Sequence, residues 1–341
     1  MIPPIQAAVS PWPDHIWQQS LQSAYRTYTQ LLTALDLAPP TTAVDNEAVH
    51  RADSGFPTLV PASFAARMRK GDPRDPLLLQ VLPVASENEN VAGFSNDPLA
   101  ETSRFAANPG LIHKYHGRAL LIATGACAVH CRYCFRRHFP YQEHRPRDRD
   151  QAIRALRADT SISEIILSGG DPWLLTDAAF GSLVEALSAL QHLKRLRVHT
   201  RLPIVIPERI TQKLLDILLS TRLKCTIVIH TNHPNELNQD TLRAMNNLRQ
   251  HGLWVLNQTV LLRGVNDDAA IQVELAESLH EQGVLPYYLH LPDRVRGTHH
   301  FFVNDADGLS IYSEMRRRLP GYLLPRLVRE EPGESAKTLV V

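Results

Sequence analysis

Cysteine is scarce in this chain: four residues in 341, three of them between positions 127 and 134. That excludes a disulfide framework of the secreted kind and points to a clustered thiol site in a reducing compartment. An excess of charge is missing too, with 36 Lys+Arg against 35 Asp+Glu. No chain-wide field therefore draws the protein to nucleic acid or an anionic membrane. No apolar run approaches the ~18 residues that would span a bilayer, and the opening MIPPIQAAVSPWPDHIW lacks the basic-then-apolar order of a leader. The expectation is a soluble, cytoplasmic protein that handles a small polar substrate.

What is present is an alternating pattern. From about position 119 a short β-branched or apolar run, a loop and a helix-periodic stretch succeed one another six times. The runs are Ala119 to Thr124, Glu164 to Ser168, Leu196 to Thr200, Thr226 to His230, Trp254 to Leu261 and Pro286 to Leu291. The helical stretches lie near 148–159, 177–191, 210–220, 238–251, 268–282 and 307–318. Such βα units predict a parallel sheet with right-handed crossovers, and six of them predict an α/β fold, a partial (βα)6 TIM-like barrel. The flanks differ. Gln18 to Leu37 reads as one helix, and prolines at 39, 40, 57, 61, 73, 76 and 83 interrupt the chain beyond it, as in a helical cap or a substrate-delivery region. The last twenty residues, on composition alone, read as a frayed tail. The division expected is 1–105 for the extension, 106–320 for the barrel and 321–341 for the tail.

Directly after the first predicted strand, ATGACAVHCRYCFRRHF sets Cys127, Cys131 and Cys134 so that three sulfurs can meet. Thiolates select zinc or iron–sulfur centres, and three of them on a four-iron cube leave one iron without a protein ligand. A zinc site completed by His130 or His138 is the alternative. Cys225, beside an apolar strand, reads as a core residue.

Chemistry in a βα barrel gathers at the C-terminal ends of the strands. Those ends carry Ser168-Gly169-Gly170-Asp171, His199-Thr200-Arg201, the stretch from His230 to Glu236, and Asp293 after the last run. The paired glycines let backbone approach a ligand closely. Gln258, inside an apolar strand, needs a partner for its amide. Arg136 and Arg137 offer forks for a carboxylate or phosphate.

The CxxxCxxC spacing resembles that of the radical S-adenosylmethionine (SAM) superfamily. Taken with SGGDP, HTRLPIV, NHPNE, NQTVLLRGVND, PYYLH and the NDPLAE segment at 96–101, the chain resembles the lysine 2,3-aminomutases over roughly residues 90 to 341. The FRRHFPY variant and short C-terminus resemble most the branch that serves modification of elongation factor P. The resemblance implies a 4Fe-4S cluster on the three cysteines and an electron donor for it. It implies SAM contacts from Tyr133, Ser168, Gly169, Gly170, Asp171, Arg201, His230 and Gln258, with Tyr133 against the adenine. Pyridoxal phosphate (PLP) would be held by Lys337, in PGESAK, with Arg118 and Tyr115 as further contacts. PGESAK is less glycine-rich than the family's PGGGGK. Arg136 would grip the carboxylate of L-lysine, and Asp293 and Glu330, the latter in place of an aspartate, would hold its distal ammonium. The activity implied is conversion of L-lysine, free or already attached to elongation factor P, to β-lysine. A radical SAM enzyme acting on another amino acid or on RNA, and a zinc-binding interaction module, are the competing readings.

Overall fold

In the computed structural model, which describes residues 9–40, 42–108, 110–141 and 146–340, nine strands lie side by side in chain order. They are β1 (Leu111–Tyr115), β2 (Arg118–Thr124), β3 (Glu164–Gly169), β4 (Arg195–Thr200), β5 (Lys224–His230), β6 (Trp254–Val260), β7 (Leu285–His290), β8 (Arg326–Arg329) and β9 (Thr338–Leu339). Strands β2 to β8 are parallel, while β1 and β9 run antiparallel at the two edges. The six predicted strands are β2 to β7. The partial barrel is as expected, with three further short strands that no apolar run announces.

Six helices return the chain between the parallel strands: Pro146–Ala158, Asp177–Ser188, Gln212–Ser220, Gln239–Gln250, Ala269–Glu281 and Asp305–Arg318. The last five start where a Thr, Asn or Asp side chain (Thr176, Thr211, Asn238, Asp268, Asn304) accepts a backbone N–H of the first turn. Each helix covers the outer face of the sheet. There Leu121, Ile165, Leu167, Val198, Ile227 and Ile229 are wholly buried, so the period-two alternation leaves the other face of each strand looking inward. Among the described residues no helix is long and apolar enough to cross a membrane.

Two expectations need correction. Gln18 to Leu37 is not one helix but two, Ile16–Gln22 and Tyr28–Ala34. Between them Tyr25 exchanges backbone hydrogen bonds with Val60, which stops the helical ladder. These segments also share one core with the barrel, because Trp17, Leu31, Phe64, Leu77 and Leu78 pack in the same cluster as Ala119 and Leu121. The tail is not frayed either. Its β8 pairs with β7, Val340 N donates to Leu327 O at 3.0 Å, and Leu327 is buried with Leu289, Leu291 and Met315. Residues 142–145, in the run RRHFPYQEHRPRDRD that begins at Arg136, lie outside the described residues.

Candidate active site

Near the C-terminal ends of the strands the inward positions are polar. Ser168 of β3, His199 of β4, His230 of β5, Gln258 of β6 and His290 of β7 line one cavity, joined by Cys127, Cys131, Cys134, Arg136, Asp171, Arg201, Asp293, Glu330 and Lys337. Barrel interiors are ordinarily filled by branched apolar side chains; here the layer is hollow and hydrogen-bonding.

The cysteines sit on an irregular loop, so other parts of the chain must hold it. His130 N donates to Leu59 O at 2.9 Å and Arg132 N to Gln80 O at 2.8 Å. Glu87 accepts from Arg132 Nε at 2.8 Å and from Arg137 Nη2 at 2.6 Å, at 1% side-chain exposure. The N-terminal extension is thus the brace of the thiol loop. From the other side, Gly170 N donates to Thr124 O at 2.7 Å and Asp171 N to Ala126 O at 2.8 Å. A Cβ at Gly170 would lie 2.1 Å from Ala126 O, and one at Gly169, whose φ is +110°, 2.6 Å from Thr124 O. The close approach that requires these glycines is to the cysteine loop's own backbone.

All four cysteines are free thiols. Burial, with Cys134 beside it, pushes the Cys127 thiol up, and burial raises Cys134 to about 11. Thiols so disfavoured as thiolates need a metal's positive charge to ionise. Among the described residues no three Cys, His, Asp or Glu side chains gather to hold a single ion. His130 is turned to Pro57 O at 2.6 Å and His138 to Arg296 O at 3.1 Å, and neither lines the cavity. The donor set of three thiols on one wall fits a multi-iron cluster better than a zinc completed by histidine.

Beside the cysteines runs a buried polar network. Arg201 Nη2 donates to Gln80 Oε1 at 2.8 Å and to Glu236 Oε2 at 2.9 Å, its Nη1 to Cys131 Sγ at 2.7 Å, and its backbone N to Asp171 Oδ2 at 2.7 Å. Asn232 Nδ2 donates to Tyr133 Oη at 2.7 Å and to Gln80 Oε1 at 3.0 Å. Tyr133 lies at the cavity wall, its ring against His230 and Phe301. Although burial opposes its charge, Arg201 and hydrogen bonds hold Glu236 below the usual carboxylate range. Burial and the Arg201 cation hold His230 neutral, down to about 4. Gln258 lines the cavity, and its amide makes no hydrogen bond among the described residues, which leaves it for a ligand.

The opposite side of the cavity belongs to the tail. Lys337 Nζ donates to Glu330 Oε2, and Tyr115 Oη donates to Glu330 Oε1 at 2.5 Å. Burial and that carboxylate hold Tyr115 protonated, well above its ordinary value. The Arg118 guanidinium stacks 5.2 Å from the Tyr115 ring. Tyr115 and Arg118 are not cavity-lining; Tyr115 joins the site through Glu330, and Arg118 through the Tyr115 ring. The ammonium of Lys337 lies 5.7 Å from the Tyr288 ring centroid. His199 and His290 are kept neutral, first by burial and then by neighbouring cations including Lys337. Two buried nitrogens here, Arg118 Nε and His199 Nε2, have no partner. An amine that shares its cavity with an unpartnered imidazole nitrogen and the Arg136 guanidinium suits an anionic, ring-bearing carbonyl compound, and PLP has that chemistry. Glu330, expected opposite a substrate ammonium, here faces the protein's own.

Several residues that shape the site carry no sequence signal of their own. Gln80 and Glu87 lie in the proline-broken extension, and Glu101 ends the NDPLAE segment, which only resemblance singles out. Tyr288 and His290 stand in a strand whose inward positions could have been read from alternation.

The radical SAM superfamily model matches residues 121–274. L-Lysine 2,3-aminomutase of Buchnera aphidicola is 44% identical over 95% of both chains, and that of Escherichia coli 47% identical over 83% of both. The Clostridium subterminale enzyme of the same name is 32% identical over 97% of this chain and 78% of its own. By the thiol loop, by the cavity it shares with the tail lysine, and by identity at this level over nearly its whole length, the chain belongs to the L-lysine 2,3-aminomutase family of radical SAM enzymes.

Proposed function

We propose that this protein moves the α-amino group of L-lysine to its β-carbon, and that the β-lysine serves modification of elongation factor P. The observation that carries the first part is the meeting of Cys127, Cys131, Cys134, Arg136, Asp293, Glu330 and Lys337 on one cavity. The second part is supported by the resemblance of the FRRHFPY segment.

Cys127, Cys131 and Cys134 would hold the cluster, Ser168, Gly169, Gly170, Asp171, Gln258 and the Tyr133 edge would meet SAM, and Lys337 with Arg118, Tyr115 and His199 would hold PLP. Bound there, these cofactors supply a hydrogen-abstracting radical and a carrier for the migrating nitrogen. The protein's own work is placement. Arg136 takes the carboxylate of lysine, and Asp293 with Glu330 takes its distal ammonium, so the β-carbon between them is fixed. Glu330 already pairs with the Lys337 ammonium, so the distal ammonium of lysine would share or displace that contact. A one-electron donor must reach the cluster from outside.

The test is anaerobic reconstitution with iron, sulfide, PLP and SAM, followed by dithionite and L-lysine. β-Lysine found by mass spectrometry with the native protein, and absent with Lys337→Ala and Cys131→Ala, supports the reading. SAM cleavage without β-lysine would move the substrate elsewhere.

A further inference from the structure

We propose that Glu101 is a positioning residue for the substrate carboxylate: it holds Arg136 by one edge and turns that guanidinium's other edge to the cavity. The inference rests on the reading of Arg136 as the carboxylate grip. A guanidinium carries five N–H donors in one plane. Glu101 takes two of them side-on, Nε to Oε2 at 2.7 Å and Nη2 to Oε1 at 3.1 Å. Ser168 Oγ accepts a third from Nη1 at 3.2 Å. The remaining two sit one on each terminal nitrogen, the end-on edge on which a second carboxylate can be gripped by parallel bonds.

The arrangement is locked on every side. Glu101 and Arg136 each keep 5% side-chain exposure, and both line the cavity. The Phe135 ring lies 4.6 Å from the guanidinium carbon, which fixes the plane as well as the edge. A guanidinium stays protonated at any working pH, and the buried Glu101 carboxylate offsets its charge.

The backbone is shaped to deliver Glu101. Asp97, in NDPLAE, accepts from Glu101 N at 2.9 Å and Thr102 N at 3.0 Å. Ala100, just before, holds φ +51°, a conformation that residues other than glycine seldom adopt. Such strain persists where its surroundings over-determine it. With Glu101 offsetting the Arg136 charge, recognition falls to directed bonds. A carboxylate has two acceptors for the end-on edge, whereas a carboxamide has one acceptor and a donor that the edge repels.

The experiment titrates PLP-loaded, cluster-reconstituted protein, without reductant, with L-lysine and with L-lysinamide, following the PLP absorbance. Glu101→Gln is expected to weaken L-lysine roughly ten-fold or more while L-lysinamide moves less than about two-fold, and Glu101→Asp to recover part of the loss. Equal weakening of both ligands, or no change in either, overturns the positioning role. If Glu101→Gln does not hold its cluster, the same ratio in Glu101→Asp decides. Arg136→Lys separates the two levels. A native lysine-to-lysinamide ratio in that variant means the carboxylate grip itself is wrong. Collapse with Arg136→Lys but not with Glu101→Gln removes Glu101 alone.

Discussion

The two sides of the cavity are built in opposite ways. Around the cysteines an irregular loop is held by buried charges: Glu87 with Arg132 and Arg137, and Glu236 with Arg201, all at 7% side-chain exposure or less. Around Lys337 a four-residue and a two-residue strand bring one ammonium to one carboxylate, at 23% and 12% exposure. The first side is part of the protein's stability, since a buried charge that loses its partner is strongly penalised. The second rests on a partly exposed ion pair whose loss the fold can bear, although the strand that carries it is packed in the core. The same chain thus ties its thiol site to folding and its amine site to chemistry.

The largest effect expected from this contrast is that of Glu87→Ala. It strands two buried guanidinium groups and should cost about 3–5 kcal/mol, read by anaerobic denaturant unfolding. A loss well below that would mean the brace is dispensable. Next is Gly170→Ala, whose Cβ would stand 2.1 Å from Ala126 O. It should displace the loop, cost on the order of 1–3 kcal/mol, and lower the iron retained after reconstitution; native iron content would break the close-packing account.

Acid should act through the cysteine side as well. His230 and His300 are held down from 6.5 to about 4, first by burial. Between those values the unfolded chain binds protons that the folded one refuses, so stability falls as pH drops from about 6.5 toward 4. His300→Phe should flatten that slope, as measured by unfolding at stepped pH. The smallest stability effect belongs to Lys337→Ala, about 1 kcal/mol or less for a partly exposed pair, although the PLP absorbance of the loaded protein should vanish. A large loss of stability there would erase the distinction between the two sides.

Much of the fold was legible because strand and helix periods differ and the runs were long enough to show them. β1, β8 and β9 were not, being short strands at or next to the sheet's edges whose pairing is decided by neighbours. The split of the first helix depends on a bridge from Tyr25 to Val60, a contact no local pattern encodes. Of the site, Cys127, Cys131 and Cys134 were readable from spacing, because one centre demands it. Lys337 was visible only by resemblance: alone in a polar tail, it has neither period nor neighbouring motif. Gln80, Glu87 and Glu101 act across 35 to more than 100 positions of chain, and such partnerships exist only after folding.

The tail lysine and the thiol loop line one cavity, and the proposed function makes Lys337 the covalent anchor of PLP. The most direct measurement loads the cluster-bearing protein with PLP, reduces it with borohydride and locates the phosphopyridoxyl group by peptide mass spectrometry. The label is expected on Lys337; its absence from that peptide, with the label on another lysine or on none, would rule out Lys337 as the anchor.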